Sequence, residues 1–207
     1  MAPKVSDQYK KEKKKELLEA AKRVFIRKGY VQTTMQDIMD EAGVSRGALY
    51  SYFNNIQHIF EELLKFEDEI DIHLFEKDAQ YSFWQQLTGW VQLQQKNIKS
   101  INQSLLLCKT EFFLTTYRGG NKKSNPYLVE RYQKLADSIK EFIESGIERK
   151  EFKPCMPSES IALYLISFLD GLMLDTFNLG VEVTKVNEQI DILLFTLEKM
   201  LCPIIEK

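Results

Sequence analysis

The sequence is poor in the residues from which catalytic and metal centres are built. Its 207 residues include two histidines, His58 and His73, and three cysteines. Both histidines fall on one expected helix, where their spacing at the helical rise puts them roughly 22 Å apart, too far to share a metal ion. Neither has a cysteine at ligand spacing, no glycine-rich phosphate loop follows a strand, and no Gly-x-Ser-x-Gly elbow is present. The sequence thus points away from an enzyme and calls for no metal and no cofactor. Cys108, Cys155 and Cys202 are evenly spaced, odd in number and contain no Cys-x-x-Cys pair, the usage of reduced thiols in a cytoplasmic protein.

Long apolar runs are also missing. The first apolar stretch, residues 17–26, is broken by Glu19, Lys22 and Arg23 and does not read as an export signal. The longest, residues 161–174, is interrupted by Ser167 and Asp170 and falls short of the roughly 20 residues that a bilayer span needs, so no membrane segment is expected. Nor does any stretch alternate apolar and polar residues with the period of a half-buried strand. The expected fold is all-α, with about nine helices. Charge is unevenly spread: residues 1–57 hold 11 Lys and Arg against 7 Asp and Glu, whereas the whole chain carries −2. A basic N-terminal unit on an acidic body suits contact with a polyanion through the first part alone.

Leu17, Leu18, Ala21, Val24 and Phe25 recur as one buried helical stripe, and Gly29 ends that helix. Thr33 and Thr34 precede Met35, with Gln36 and Asp37 placed for a capping box, so a second, short helix begins there and closes at Ala42-Gly43. Ser45 can cap a third helix through Phe53. A longer helix runs from Ile56 toward Phe75, and further helices are expected over 82–99, 101–117, 126–149, 158–178 and 184–201. Gly119-Gly120-Asn121, Pro154 with Pro157, and Gly180 separate them. This divides the chain into a three-helix domain, 1–55, and a helical domain, 56–207, with 56–75 as the connecting helix.

Two short helices joined at Gly43 have the shape of a helix-turn-helix, whose second helix enters the major groove. Arg46 offers a guanidinium for guanine or phosphate, Gly47 and Ala48 allow close backbone approach, and Ser45, Tyr50, Ser51 and Tyr52 present hydroxyls. Leu49 and Phe53 face inward. Thr33 or Thr34, at a helix start, can hold a phosphate, and Lys10, Lys11, Lys13, Lys14 and Lys15 add sequence-independent attraction. The ordered run Thr33-Thr34-Met35-Gln36-Asp37-Ile38, then Ala42 through Phe53, with Ala20-Ala21, Phe25 and Gly29-Tyr30 before it, resembles the N-terminal signature of the TetR family of transcriptional repressors. The resemblance spans about residues 10–65. It implies a homodimer that binds a double-stranded DNA operator and is released by a small-molecule effector. One position departs: where the family usually places a phosphate-binding lysine after the recognition helix, this chain has Ile56, leaving His58, Asn54 or the helix N-terminus as substitutes.

In the C-terminal domain, Trp84, Trp90, Cys108, Phe112 and Phe168 are the expected wall of a cavity for a small apolar or amphipathic effector, set against a plain-core reading of the same residues. Residues 161–174 are apolar around most of the helix. Leu165, Leu169 and Leu172, with Leu194 and Leu197 of the last helix, are therefore expected to form a four-helix dimer interface. Asp170 and Asp175 lie about 140° apart around their helix and face different surroundings. A rival reading is a helical adaptor whose basic first helix docks on an acidic protein or anionic lipid. It leaves Arg46 to Phe53 without a role.

Overall fold

The computed structural model describes residues 6–72, 80–101, 104–116 and 126–204. Within them the helices are α1 (Asp7–Lys28), α2 (Met35–Ala42), α3 (Arg46–Tyr50), α4 (Ile56–Ile72), α5 (Phe83–Lys99), α6 (Leu106–Thr116), α7 (Pro126–Glu148), α8 (Ser158–Leu179), the single turn α9 (Val181–Thr184) and α10 (Val186–Leu201). No strand occurs among the described residues. The chain forms two compact units, one of residues 1–71 with 107–119, the other of residues 72–106 with 120–207. The first compact unit runs past the expected boundary at residue 55 to residue 71, near the end of α4, and takes in most of α6. His73 and the Gly119-Gly120-Asn121 break lie outside the described residues.

In the first unit, α1 buries Leu17, Leu18, Ala20, Ala21, Val24 and Phe25, α2 buries Ile38 and Met39, and α4 buries Ile59, Phe60, Leu63 and Leu64. At the centre are aromatic rings at contact spacing: Phe25 to Phe60 at 4.9 Å, Phe60 to Phe112 at 5.0 Å and Tyr30 to Phe112 at 5.1 Å. Tilted and edge-on pairs of this kind contribute roughly 0.5–1.5 kcal/mol each beyond their buried area. Two residues of the expected effector wall, Cys108 and Phe112, belong to this unit. Phe112 is a core residue of this unit, and Cys108 donates its S–H to the Phe25 carbonyl at 3.0 Å. Burial pushes the Cys108 thiol up to about 12. The i, i+4 spacing of 108 and 112 on α6 marked a buried stripe correctly, but spacing within one helix does not say which unit the stripe faces.

The second unit packs α5, α7, α8 and α10 around Phe83, Leu87, Val91, Ile139, Phe142, Phe152, Ile161, Leu165 and Leu193. Ser82 caps α5 in a reciprocal box with Gln85, and the Glu151 carboxylate accepts the Phe83 N–H at 2.7 Å. Gly146 is required here. A Cβ on it would lie 2.4 Å from the Phe152 ring, which closes over the end of α7. By length and composition α8 could cross a bilayer, yet its inner face belongs to this core.

Leu165, Leu169, Leu172 and Leu197 correct the expected dimer interface. All four are buried within the chain itself, and Leu194 is half-buried against the same core. The apolar excess noted on residues 161–174 is real, but the leucines fill the core side. The outward residues are Leu163 and Leu174 on α8, Leu179 at its end, and Ile192 and Phe195 on α10, all exposed. Asp170 and Asp175 are exposed as well.

Candidate nucleic-acid interface

The α2–turn–α3 segment is set by local hydrogen bonds at every end. The Thr34 hydroxyl accepts the Asp37 N–H and donates to the Asp37 carboxylate, which also accepts the Thr34 N–H at 2.9 Å, completing the box. Lys28 from α1 adds an ammonium 2.7 Å from the same carboxylate. Lys28 first, then the two Thr34 donors, hold Asp37 down at about 2. Gly43 ends α2 at φ 62°, a left-handed conformation that glycine adopts without Cβ strain. Arg23 and Arg27 of α1 both reach Glu41 of α2, at 2.7 and 3.1 Å, and hold its carboxyl below the ordinary range. Ser45 then caps α3 through the Ala48 N–H.

Leu49 and Phe53 are buried, which fixes the opposite side of α3 outward. Ser45, Arg46, Gly47, Tyr50 and Ser51 are exposed together on that side, and Ala48 and Tyr52 are half-buried beside them. The helix ends at Tyr50, sooner than expected. The chain then turns through Ser51, whose hydroxyl donates to the Ala48 carbonyl at 2.7 Å. Arg46 lies over the Tyr50 ring at 5.3 Å, a cation–π contact that holds the guanidinium at the surface. Gly47 has nothing within 4 Å of a built Cβ and no positive φ, so the fold makes no demand for glycine there.

Other expected contacts fall differently. Thr33 is buried and its hydroxyl donates to the Gly29 carbonyl at 2.5 Å, so its role is to brace the α1–α2 corner, and it presents no hydroxyl to a phosphate. Thr34 is exposed at the start of α2. Of the lysine cluster, Lys13 pairs with Glu16 and Lys14 with Glu62. Lys10, Lys11 and Lys15 remain exposed, with Lys15 also over the Phe66 ring. At Ile56, the Asn55 side chain caps α4 through the His58 N–H at 2.8 Å, and His58 Nδ1 accepts the Asn54 N–H. That leaves the Nε2–H of His58 as a donor.

Sequence reasoning missed Glu111 of α6. Its carboxylate accepts the N–H groups of Tyr30 and Val31 at 2.6 and 3.1 Å, clamping the loop that leads to Thr33 and Thr34. A built Cβ on Gly29 would stand 2.8 Å from that carboxylate, so the glycine makes room for it. No local pattern around residue 111 announces a partner 81 positions away.

A short capped helix, a left-handed glycine turn and a second capped helix with a polar outer face define a helix-turn-helix DNA-binding protein of the transcriptional-regulator class. Residues 17–63 match the family model described as bacterial regulatory proteins, tetR family, and residues 86–187 match a tetracyclin repressor-like C-terminal domain. The HTH-type transcriptional regulator YfiR of Bacillus subtilis is 30% identical over 84% of both chains. Among solved structures, Salmonella enterica GusR superposes with a TM-score of 0.71 at 18% identity, covering 92% of this chain and 96% of that one. SmeT in complex with triclosan gives 0.70 at 17% identity over 92% of each. The chain belongs to the TetR family and is a helix-turn-helix transcriptional regulator.

Proposed function

We propose that this regulator is a repressor that binds a palindromic operator as a homodimer and leaves it when a small apolar or amphipathic molecule binds the second unit. The outer face of α3 carries the DNA half of this reading, because Arg46, Gly47 and Tyr50 are exposed there together, opposite the buried Leu49 and Phe53. Two copies of α3 would occupy successive major grooves about 34 Å apart. Arg46→Ala is expected to weaken specific binding by about 1–3 kcal/mol while leaving thermal stability unchanged. A selection from random duplexes should enrich an inverted repeat, and enrichment of no repeat would refute the operator.

Dimerisation is supported by the outward residues Leu163, Leu174, Ile192 and Phe195, four exposed apolar side chains on α8 and α10. A charge at Phe195 should dissociate the dimer in sedimentation. For the effector, Trp84, Trp90 and Phe168 remain the proposed contacts, and all three lie in or against the second unit's core. The same unit holds an open groove of about 580 Å³ between α7 and α8, with Val129, Tyr132, Ala136 and Leu163 as its apolar lining and Asp137, Lys140 and Glu159 as its charges. Support from relatives comes from the triclosan complex of SmeT, the repressor of a Stenotrophomonas maltophilia efflux pump. The chain crosses between units three times, at the end of α4, at the start of α6 and between residues 119 and 120, so α4 and α6 lie on covalent routes for the signal. A coupling of about 1–3 kcal/mol would lower operator affinity roughly 5- to 150-fold. Tryptophan fluorescence tests the site: an effector that releases DNA without changing Trp84 or Trp90 emission would move it to the α7–α8 groove.

A further inference from the structure

The end of α10 is laced to residues 151–155 by main-chain bonds. The Lys153 N–H donates to the Leu201 carbonyl and the Cys155 N–H to the Met200 carbonyl, both at 2.9 Å, and the Ile204 N–H returns to the Glu151 carbonyl at 2.8 Å. This pairing brings together two cysteines that are 47 residues apart in the sequence. Cys155 Sγ lies 3.6 Å from the Lys199 carbonyl oxygen, and Cys202 Sγ lies 3.3 Å from that same oxygen. Laid end to end, these contacts limit the sulfur–sulfur separation to roughly 7 Å, and a change of side-chain rotamer moves each sulfur by about 3 Å toward a bonding distance near 2 Å.

Both thiols are exposed, so neither is there to fill the core. Cys202 also sits just past α10 at φ 45°, a left-handed position where helices usually place glycine. Cys108 contrasts with both, buried and bonded to the Phe25 carbonyl in the other unit.

We propose that Cys155 and Cys202 are a redox-active dithiol that closes into an intrachain disulfide by exchange with a low-molecular-weight disulfide such as oxidised glutathione. One protein thiolate attacks a sulfur of the small disulfide, forming a mixed disulfide and expelling one small thiolate. The second protein thiolate attacks the protein sulfur of that mixed disulfide, forming the Cys155–Cys202 bond and expelling the other. The protein gives up two electrons and two protons, and two small thiols carry them away. The product covalently ties the end of α10 to the 151–155 segment and closes a ring containing α8 and α10, a constraint that lowers the entropy of the unfolded chain.

The test is intact-mass and peptide mass spectrometry of the full-length protein after incubation with oxidised glutathione. The expected product has lost two hydrogens, yields one peptide pair linked through 155 and 202, reverts with dithiothreitol, and unfolds at a higher temperature than the reduced form. Cys155→Ser and Cys202→Ser should each stop at a single glutathione adduct with no rise in unfolding temperature. Both substitutions are at exposed sites and keep a donor for the Lys199 carbonyl. A wild-type protein that stops at two glutathione adducts would overturn the proposal. So would one whose disulfide joins two chains or involves Cys108.

Discussion

The helix pair α2 and α3 of the first unit and the pair α8 and α10 of the second are held by different means. In the first, α2 has 8 residues and α3 has 5, too short to persist alone, and each begins at a side-chain cap, Thr34 or Ser45. In the second, α8 and α10 run 22 and 16 residues from Pro157 and Lys185, and neither start has a side-chain cap. For these two helices burial substitutes for capping: Ile161, Leu165, Leu169 and Leu172 of α8 meet Ile190, Leu193 and Leu197 of α10 in one core. The difference follows from surface use. A recognition helix must leave one whole side free for DNA, so local hydrogen bonds replace the packing that side would otherwise supply.

The largest expected effect tests the burial half of this contrast. Leu193→Ala removes a side chain with no solvent exposure from α10 and should destabilise the second unit by about 2–5 kcal/mol, read by urea unfolding. Hydrogen exchange in α2 and α3 should change little, and equal loss of protection there would collapse the distinction between units.

Glu111 probes the long-range part of the first unit. Glu111→Ala strips two N–H groups of their acceptor and should cost about 1–3 kcal/mol. Glu111→Gln, which keeps an acceptor oxygen, should retain most of that. A similar loss in both variants would show that the carboxylate's charge matters more than its hydrogen bonds.

Thr34→Ala should cost about 1 kcal/mol, as the loss of a helix N-cap does. The same cap has a pH signature. Asp37 titrates at about 2 in the folded chain against 3.8 ordinarily, so its contribution is complete above pH 3.8 and fades as pH falls through about 2. Wild type should therefore lose more stability across that window than Asp37→Asn, and parallel acid profiles would refute the assignment.

The smallest expected change in stability is at Gly47. Gly47→Ala adds a Cβ in open space and should raise stability by roughly 0.5 kcal/mol through helix propensity, while operator binding falls in a fluorescence-anisotropy titration. Unchanged DNA binding would remove the argument that this glycine serves a close backbone approach.

What could be read in the sequence follows the same division. Thr34 with Asp37, Gly43 and Ser45 act over three or four residues, so their roles were visible in their order, as was the inward pair Leu49 and Phe53. Ile56 in place of the expected lysine was equally plain, although the hydrogen bonds joining Asn54, Asn55 and His58 around it were not. Thr33 shows where this runs out: adjacent threonines at a helix start look alike in sequence, and only the path of the corner turned one inward to the Gly29 carbonyl.

Composition, helical periodicity and local capping thus determined an all-α chain with a helix-turn-helix near its N-terminus, because those signals span no more than a helix turn or two. The tertiary structure alone decided that α6 joins the first unit through Cys108, Glu111 and Phe112, and that Leu165, Leu169, Leu172 and Leu197 fill a core while Leu163, Leu174, Ile192 and Phe195 face outward. It alone set Cys155 beside Cys202. An amphipathic pattern states that a face is buried, but it does not name what buries it. That depends on contacts between residues tens of positions apart, which only the folded chain brings together.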